Sequence, residues 1–136
     1  MCITKKGIVS GIVASLVMII LSFLFSMIIP GQTEWYLKMF PGMANMLGLI
    51  TTYSSYFVIG IVMGVAYDMV NKALPWKAWK KGFVFGIGAW LLAGTMWPIM
   101  MISFAPAYLW IAEFISGFIL YSAAGLTIYF VGNKMK

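Results

Sequence analysis

The chain has 136 residues, of which 63% are hydrophobic and only 9% are charged. A soluble domain carries about 25% charged residues, and a disordered segment needs low hydrophobicity, so both classes are excluded and an integral membrane protein is predicted. The net charge of +6 comes from nine Lys against three acidic residues, with no Arg and no His. Lysines that flank apolar runs, without Arg to read bases, do not describe a nucleic-acid binder. The absence of His excludes imidazole ligation and imidazole acid–base chemistry. The single Cys, Cys2, forms no internal disulfide and leaves the redox compartment unread.

In chain order, the first apolar run is Gly7–Ile29, 23 residues. At 1.5 Å per residue it extends about 34 Å, enough for a hydrocarbon core of about 30 Å. It exceeds the h-region of a signal peptide and no A-x-A site follows, so it is read as a true span. An outer loop, Pro30–Met46, comes next. Within it, Glu34 and Lys38 stand at i,i+4 among Trp35, Tyr36, Leu37, Met39 and Phe40. That pattern predicts a short helix lying in the interface as a membrane-anchored loop, with a substrate lid as the alternative reading.

The second span is predicted over about 47–70, the third over 82–102 and the fourth over 107–131. The third and fourth are separated at Ser103–Pro106, because proline disfavours helix in the residue before it and the joined run is too long for one span. Pro98 is a possible kink in the third. Eight lysines fall on one side: Lys5 and Lys6, then Lys72, Lys77, Lys80 and Lys81, then Lys134 and Lys136. Only Lys38 falls on the other. The positive-inside rule makes the lysine-rich side cytoplasmic, with both termini inside a multi-pass protein of the cell (inner, cytoplasmic) membrane. Trp76 and Trp79 read as interfacial anchors on that side.

Lys5–Ala14 (KKGIVSGIVA) matches Lys80–Ala89 (KKGFVFGIGA) at a constant offset of 75, with seven of ten positions identical. The ends of the even spans, Tyr67–Lys72 and Tyr129–Lys134, also match. The fold class expected is therefore an all-α membrane protein, a single domain over residues 1–136. It is a four-transmembrane-helix bundle of two parallel helical-hairpin repeats, about 5–72 and 80–134. Gly7/Gly11, Gly60/Gly64 and Gly82/Gly86 form three G-x-x-x-G pairs, which let helix backbones approach closely inside the chain or between copies of it.

The pattern KG-I-V-x-G-I-V-A, then F-V-I-G-I-V-M-G, then KG-F-V-F-G-I-x-A-W-L-L, a Met-Trp-Pro segment and F-I-S-G resembles a family of small four-helix prokaryotic membrane proteins of unknown function. The resemblance covers most of the chain. The family pattern often has His four residues before a glycine in spans two and four, where this chain has Tyr56 before Gly60 and Glu113 before Gly117. The resemblance implies no activity.

Glu113 is the sharpest chemical feature, because an acidic group inside a span marks a pathway or a buried pair. It lies seven residues beyond Pro106, about 10 Å along the helix. Tyr53, Ser54, Ser55 and Tyr56 form a polar patch at similar height and are its expected partners. Asp68 is expected to pair with Lys72 at i,i+4 or with lysines of the inner side, and Asn71 and Asn133 to cap at that boundary. Met39, Met43 and Met46, and Met96, Met100 and Met101, form two outer clusters. They are read as apolar packing, with Cu(I) ligation by thioethers as the alternative. No cofactor is expected. No G-x-S-x-G, P-loop or paired carboxylate supports an enzyme. Two functions are expected: a structural or accessory subunit that homo-oligomerises or joins a larger membrane complex, or a small transporter or channel using Glu113.

Overall fold

The computed structural model describes residues 4–135, apart from the side chains of Met43 and Ala44. Four stretches are helical, long and apolar enough to cross a membrane: Lys5–Ile28, Met46–Val70, Trp79–Met101 and Ala107–Lys134. Their boundaries lie within a few residues of the expected ones. The described residues contain no strand.

Local chemistry sets the ends. Helix α1 (Lys5–Ile28) starts at Thr4, whose hydroxyl accepts from the Gly7 amide at 3.1 Å. It stops before Pro30, which brings no amide hydrogen. Gly31, at φ 73°, reverses the chain into α2 (Gln32–Met39), where a side chain would strain the backbone. A 3-10 turn over Pro41–Ala44 leads to α3 (Met46–Val70), which the Asn45 side chain caps by accepting from the Gly48 amide at 2.8 Å. Asn71 closes α3, its Nδ2 donating to the Asp68 carbonyl at 2.7 Å.

The third span is not one continuous α-helix. It consists of α4 (Trp79–Ala89), a π-helical turn over Trp90–Gly94 and α5 (Met96–Met101). The expected kink at Pro98 therefore appears one turn upstream of the proline. A proline in a helix clashes with the carbonyl four residues back, which here is that of Gly94, and offers it no hydrogen bond. The wide turn absorbs the disruption. After the expected turn at Ser103–Pro106 comes α6 (Ala107–Lys134).

Packing follows the glycines. On α1, a Cβ placed at Gly11 would stand 2.6 Å from the Gly60 carbonyl oxygen of α3, and Gly7 faces Gly64 in the same way. On α4, a Cβ at Gly82 would stand 2.5 Å from the Gly125 carbonyl oxygen of α6, and Gly86 faces Tyr121. All six glycines picked out in sequence thus serve contacts inside the chain, which leaves none of the three pairs open for a second copy. The two crossings use corresponding contacts, shifted by 75 residues on the first helix and 61 on the second. The match of Tyr67–Lys72 with Tyr129–Lys134 implied 62. One residue turns a helix face by about 100°, so that end match does not align equivalent faces.

Helix α1 also packs along α6, whereas α3 and α4 scarcely touch. The helices therefore follow the order α3, α1, α6, α4, with the α3–α4 edge nearly open. Ala14, Met18, Met63, Tyr67, Leu120, Tyr121, Ala124 and Ile128 make the core. Large apolar side chains such as Ile20, Val62, Leu92 and Ile115 point outward.

Candidate functional site

A cavity of about 730 Å³ lies at the end of the bundle that carries α2. It fills the gap between α3, which contributes Tyr53, Tyr56 and Ile59, and the third span, which contributes Gly94, Trp97 and Pro98. Helix α6 supplies Glu113, Ser116 and Gly117 to its wall, and α2 supplies Gln32 and Tyr36. The volume falls within the range of small-molecule sites.

The short helix expected in the outer loop is α2. It folds over the end of the bundle on an aromatic cluster: Trp35 stacks on Phe104 with ring centres 6.0 Å apart, and Tyr36 stacks on Trp97 at 6.4 Å. This buries Gln32, of which 8% is exposed, although glutamine is normally a surface residue. The burial is compensated because Gln32 donates from Nε2 to Oε1 of Glu113. Tyr36 donates to the same oxygen at 2.9 Å, and Trp97 Nε1 donates to the Tyr36 oxygen at 2.8 Å. A chain of donors thus runs Trp97, Tyr36, Glu113, with Gln32 as a side branch. Burial, and then the nearby Glu113 carboxylate, push the Tyr36 phenol above its ordinary value, so it stays a hydroxyl and a donor.

Both donors converge on Oε1. Oε2 of Glu113 takes no hydrogen bond from the described residues, and it is not among their fully enclosed unpaired atoms. One carboxylate oxygen is therefore held by two donors, while the other takes none from the described residues, on a side chain that lines the cavity.

The expected partners of Glu113 are placed differently. Tyr53, Ser55 and Tyr56 line the same cavity, but none of them hydrogen-bonds to the carboxylate. Tyr56 accepts from Ser22 at 3.1 Å, and Ser55 donates back to the Thr52 carbonyl at 2.6 Å. Ser54 is exposed. Sequence reasoning missed Gln32, Tyr36 and Trp97. The available signals were a lone amide just after Pro30-Gly31 and a Trp-Pro step at the height of Glu113.

The other expected sites also resolve. Asp68 takes its hydrogen bond from the Thr4 hydroxyl rather than pairing with Lys72. The methionines do not converge: Met96 and Met100 are exposed, whereas Met101 is buried with its sulfur 3.8 Å from the Tyr36 oxygen. The side chain of Met43 lies outside the described residues, as does Cys2. Among the described residues no group of three or more His, Cys, Asp or Glu side chains is placed to hold a metal ion.

Among the described residues, two buried side-chain polar atoms have no partner, Trp90 Nε1 and Ser122 Oγ. Trp90 begins the π-helical turn, and its indole lies against Gly117, where a Cβ would stand 3.2 Å from Nε1. Comparison with protein-family models, with curated proteins and with solved structures gave no match to this chain.

Proposed function

We propose that this chain is a multi-pass membrane protein, both termini cytoplasmic, that binds a lipophilic organic cation in the α2-end cavity as a small transporter or carrier. One observation carries the reading: Glu113 lines an aromatic-walled cavity with Oε1 held by two donors and no donor to Oε2 among the described residues. An intramembrane carboxylate without a basic partner calls for a cation. Tyr36, Tyr56 and Trp97 offer ring faces, which attract cations and accept hydrocarbon. The nearly open α3–α4 edge gives a path from the lipid. The lysine distribution supports the orientation, since only Lys38 stands at the α2 end. The matching glycine crossings support descent from two hairpin repeats. The glycine pattern itself supports placing the chain with the small four-helix prokaryotic membrane proteins it resembles.

The test is binding of tetraphenylphosphonium to the purified protein in lipid nanodiscs. Wild type is expected to bind saturably, and Glu113→Gln to bind about tenfold or more weakly. Equal binding by the two proteins would overturn the reading.

A second reading, the structural or accessory subunit, is favoured by the exposed apolar side chains along α3 and the third span, which suit a neighbouring helix as well as lipid. Native mass measurement in mild detergent tests it. A hetero-complex or defined oligomer supports this role, and a monomer counts against it.

A further inference from the structure

The end of the bundle remote from Glu113 holds a second cavity, of about 240 Å³. All four spans reach it, with Lys6 and Ser10 from α1, Asp68 from α3 with its C-cap Asn71, Lys81 from α4 and Asn133 from α6. Lys6 and Lys81 directly precede Gly7 and Gly82, the glycines that make corresponding crossings. The fold therefore brings the same position of both helix pairs to one place. Gly132 leaves room for this arrangement: a Cβ there would stand 3.3 Å from Cε of Lys6, so the lysine stem runs against α6. Ala78, the residue before α4, also lines the cavity and supplies no side-chain cap. The first amides of α4 thus lack the acceptor that a Ser or Asp would have given.

Among the described residues that line this cavity the one opposing charge is Asp68, and it already accepts the Thr4 hydroxyl. Two ammonium groups against one carboxylate leave the cavity positive. The Ser10 hydroxyl already donates to the Gly7 carbonyl, and Asn71 keeps one amide hydrogen after donating to the Asp68 carbonyl; Asn133 and the phenols of Tyr67 and Tyr129 add further neutral donors. A metal cation is disfavoured by the lysines, and a hydrocarbon group by the polar lining. Lysine ammonium groups beside hydroxyl and amide donors suit a compact oxyanion.

We propose that the terminal-end cavity binds a phosphate oxyanion between Lys6 and Lys81, carried by an anionic phospholipid headgroup or by free phosphate. The lipid source requires that this end lie at a membrane surface, and free phosphate does not. Neither depends on Glu113.

The experiment measures the thermal midpoint of the full chain in phosphatidylcholine nanodiscs under three conditions: alone, with added phosphatidylglycerol, and with inorganic phosphate in the buffer. Phosphatidylglycerol is expected to raise the midpoint. Lys6→Gln and Lys81→Gln are each expected to weaken the apparent affinity about tenfold, and Lys6→Arg and Lys81→Arg to retain it. Lys77→Gln, at the same end but not lining the cavity, should change it less than about twofold. Asp68→Asn removes the opposing charge and should tighten binding, so the proposal stays testable if a glutamine variant fails to fold. A rise with inorganic phosphate, with the same dependence on Lys6 and Lys81, assigns the site to free phosphate. The proposal is overturned if neither addition raises the midpoint. It is equally overturned if Lys77→Gln loses as much as the cavity variants, which is what general attraction to an anionic surface produces.

Discussion

Tyr36 of α2 donates its phenolic hydrogen to Oε1 of Glu113 at 2.9 Å, across 77 residues of sequence. This bond joins a helix outside the long spans to the one acidic side chain within the cavity. It makes α2 part of the site's wall.

Removing the phenol should therefore affect both ends of the contact. Tyr36→Phe leaves Trp97 Nε1 without its acceptor and Glu113 with one donor fewer, at a cost of about 1–3 kcal/mol. Glu113→Gln should cost a similar amount. Because the residues share one network, the double variant should lose less than the sum of the two. Denaturation of the three variants in detergent checks this, and strict additivity would show that the bond contributes nothing.

The glycine crossings make a second, sharper prediction. Gly125→Ala places a methyl group against the Gly82 carbonyl oxygen, a backbone atom that cannot swing aside. Separating α4 from α6 to admit it should cost about 1–3 kcal/mol. Gly88→Ala is the control, since a Cβ there meets nothing within 4 Å. It should stabilise by up to about 1 kcal/mol through helix propensity. Thermal midpoints of the two variants should move in opposite directions.

The contrast between those positions also shows what could be read in advance. The four long apolar helices and the turn at Ser103–Pro106 were legible because uncharged length and proline report directly on where a helix can run. Gly7, Gly60 and Gly82 were legible as packing residues because a missing side chain has one main use between helices. Gly125 was not singled out, and its partner position is Tyr121, which carries no small-residue signal. Glu113 was visible as an acidic group within a long apolar helix, but its donors were not. Gln32 and Tyr36 reach it only because α2 folds back on Trp97 and Phe104, a tertiary event with no period in the sequence. The Asp68–Lys72 spacing suggested an ion pair, whereas the hydroxyl of Thr4, the N-cap of α1, donates to the carboxylate instead. The same limit applied to the third span: Pro98 announced a disruption, but where the backbone absorbs it depends on packing around Trp90 and Gly94.

The state of Tyr36 predicts a pH dependence. Its phenol is raised from an ordinary value of 10.0, chiefly by burial and then by the charge of Glu113. The folded state thus holds this proton more tightly than the unfolded state. The stability it contributes is fully present below pH about 10, and it is lost as pH rises beyond that towards the folded value. The stability difference between wild type and Tyr36→Phe should therefore be constant below pH about 10 and narrow above it. A difference that held level into stronger alkali would mean that the phenol is not buried against the carboxylate.

Pro98 gives the last prediction. If the π-helical turn at Trp90–Gly94 exists because the Pro98 ring displaces the Gly94 carbonyl and offers it no hydrogen, Pro98→Ala removes both causes. An α-helical ladder then runs through residues 89–101, and the amides of 94–97 should gain hydrogen-exchange protection. Closing a wide turn removes about one residue from the register, which rotates everything beyond it by about 100°. Trp97 would then leave Tyr36, and its indole nitrogen would lose the 2.8 Å bond that now anchors α2. Local protection should therefore rise while α2 loosens, its amides exchanging faster than in wild type. Trp97→Phe separates the two effects, because it removes the indole donor without altering the backbone. It should loosen α2 but leave protection at 94–97 unchanged. If Pro98→Ala leaves both segments as they are, the wide turn is held by the packing of Trp90 against Gly117 instead of by the proline.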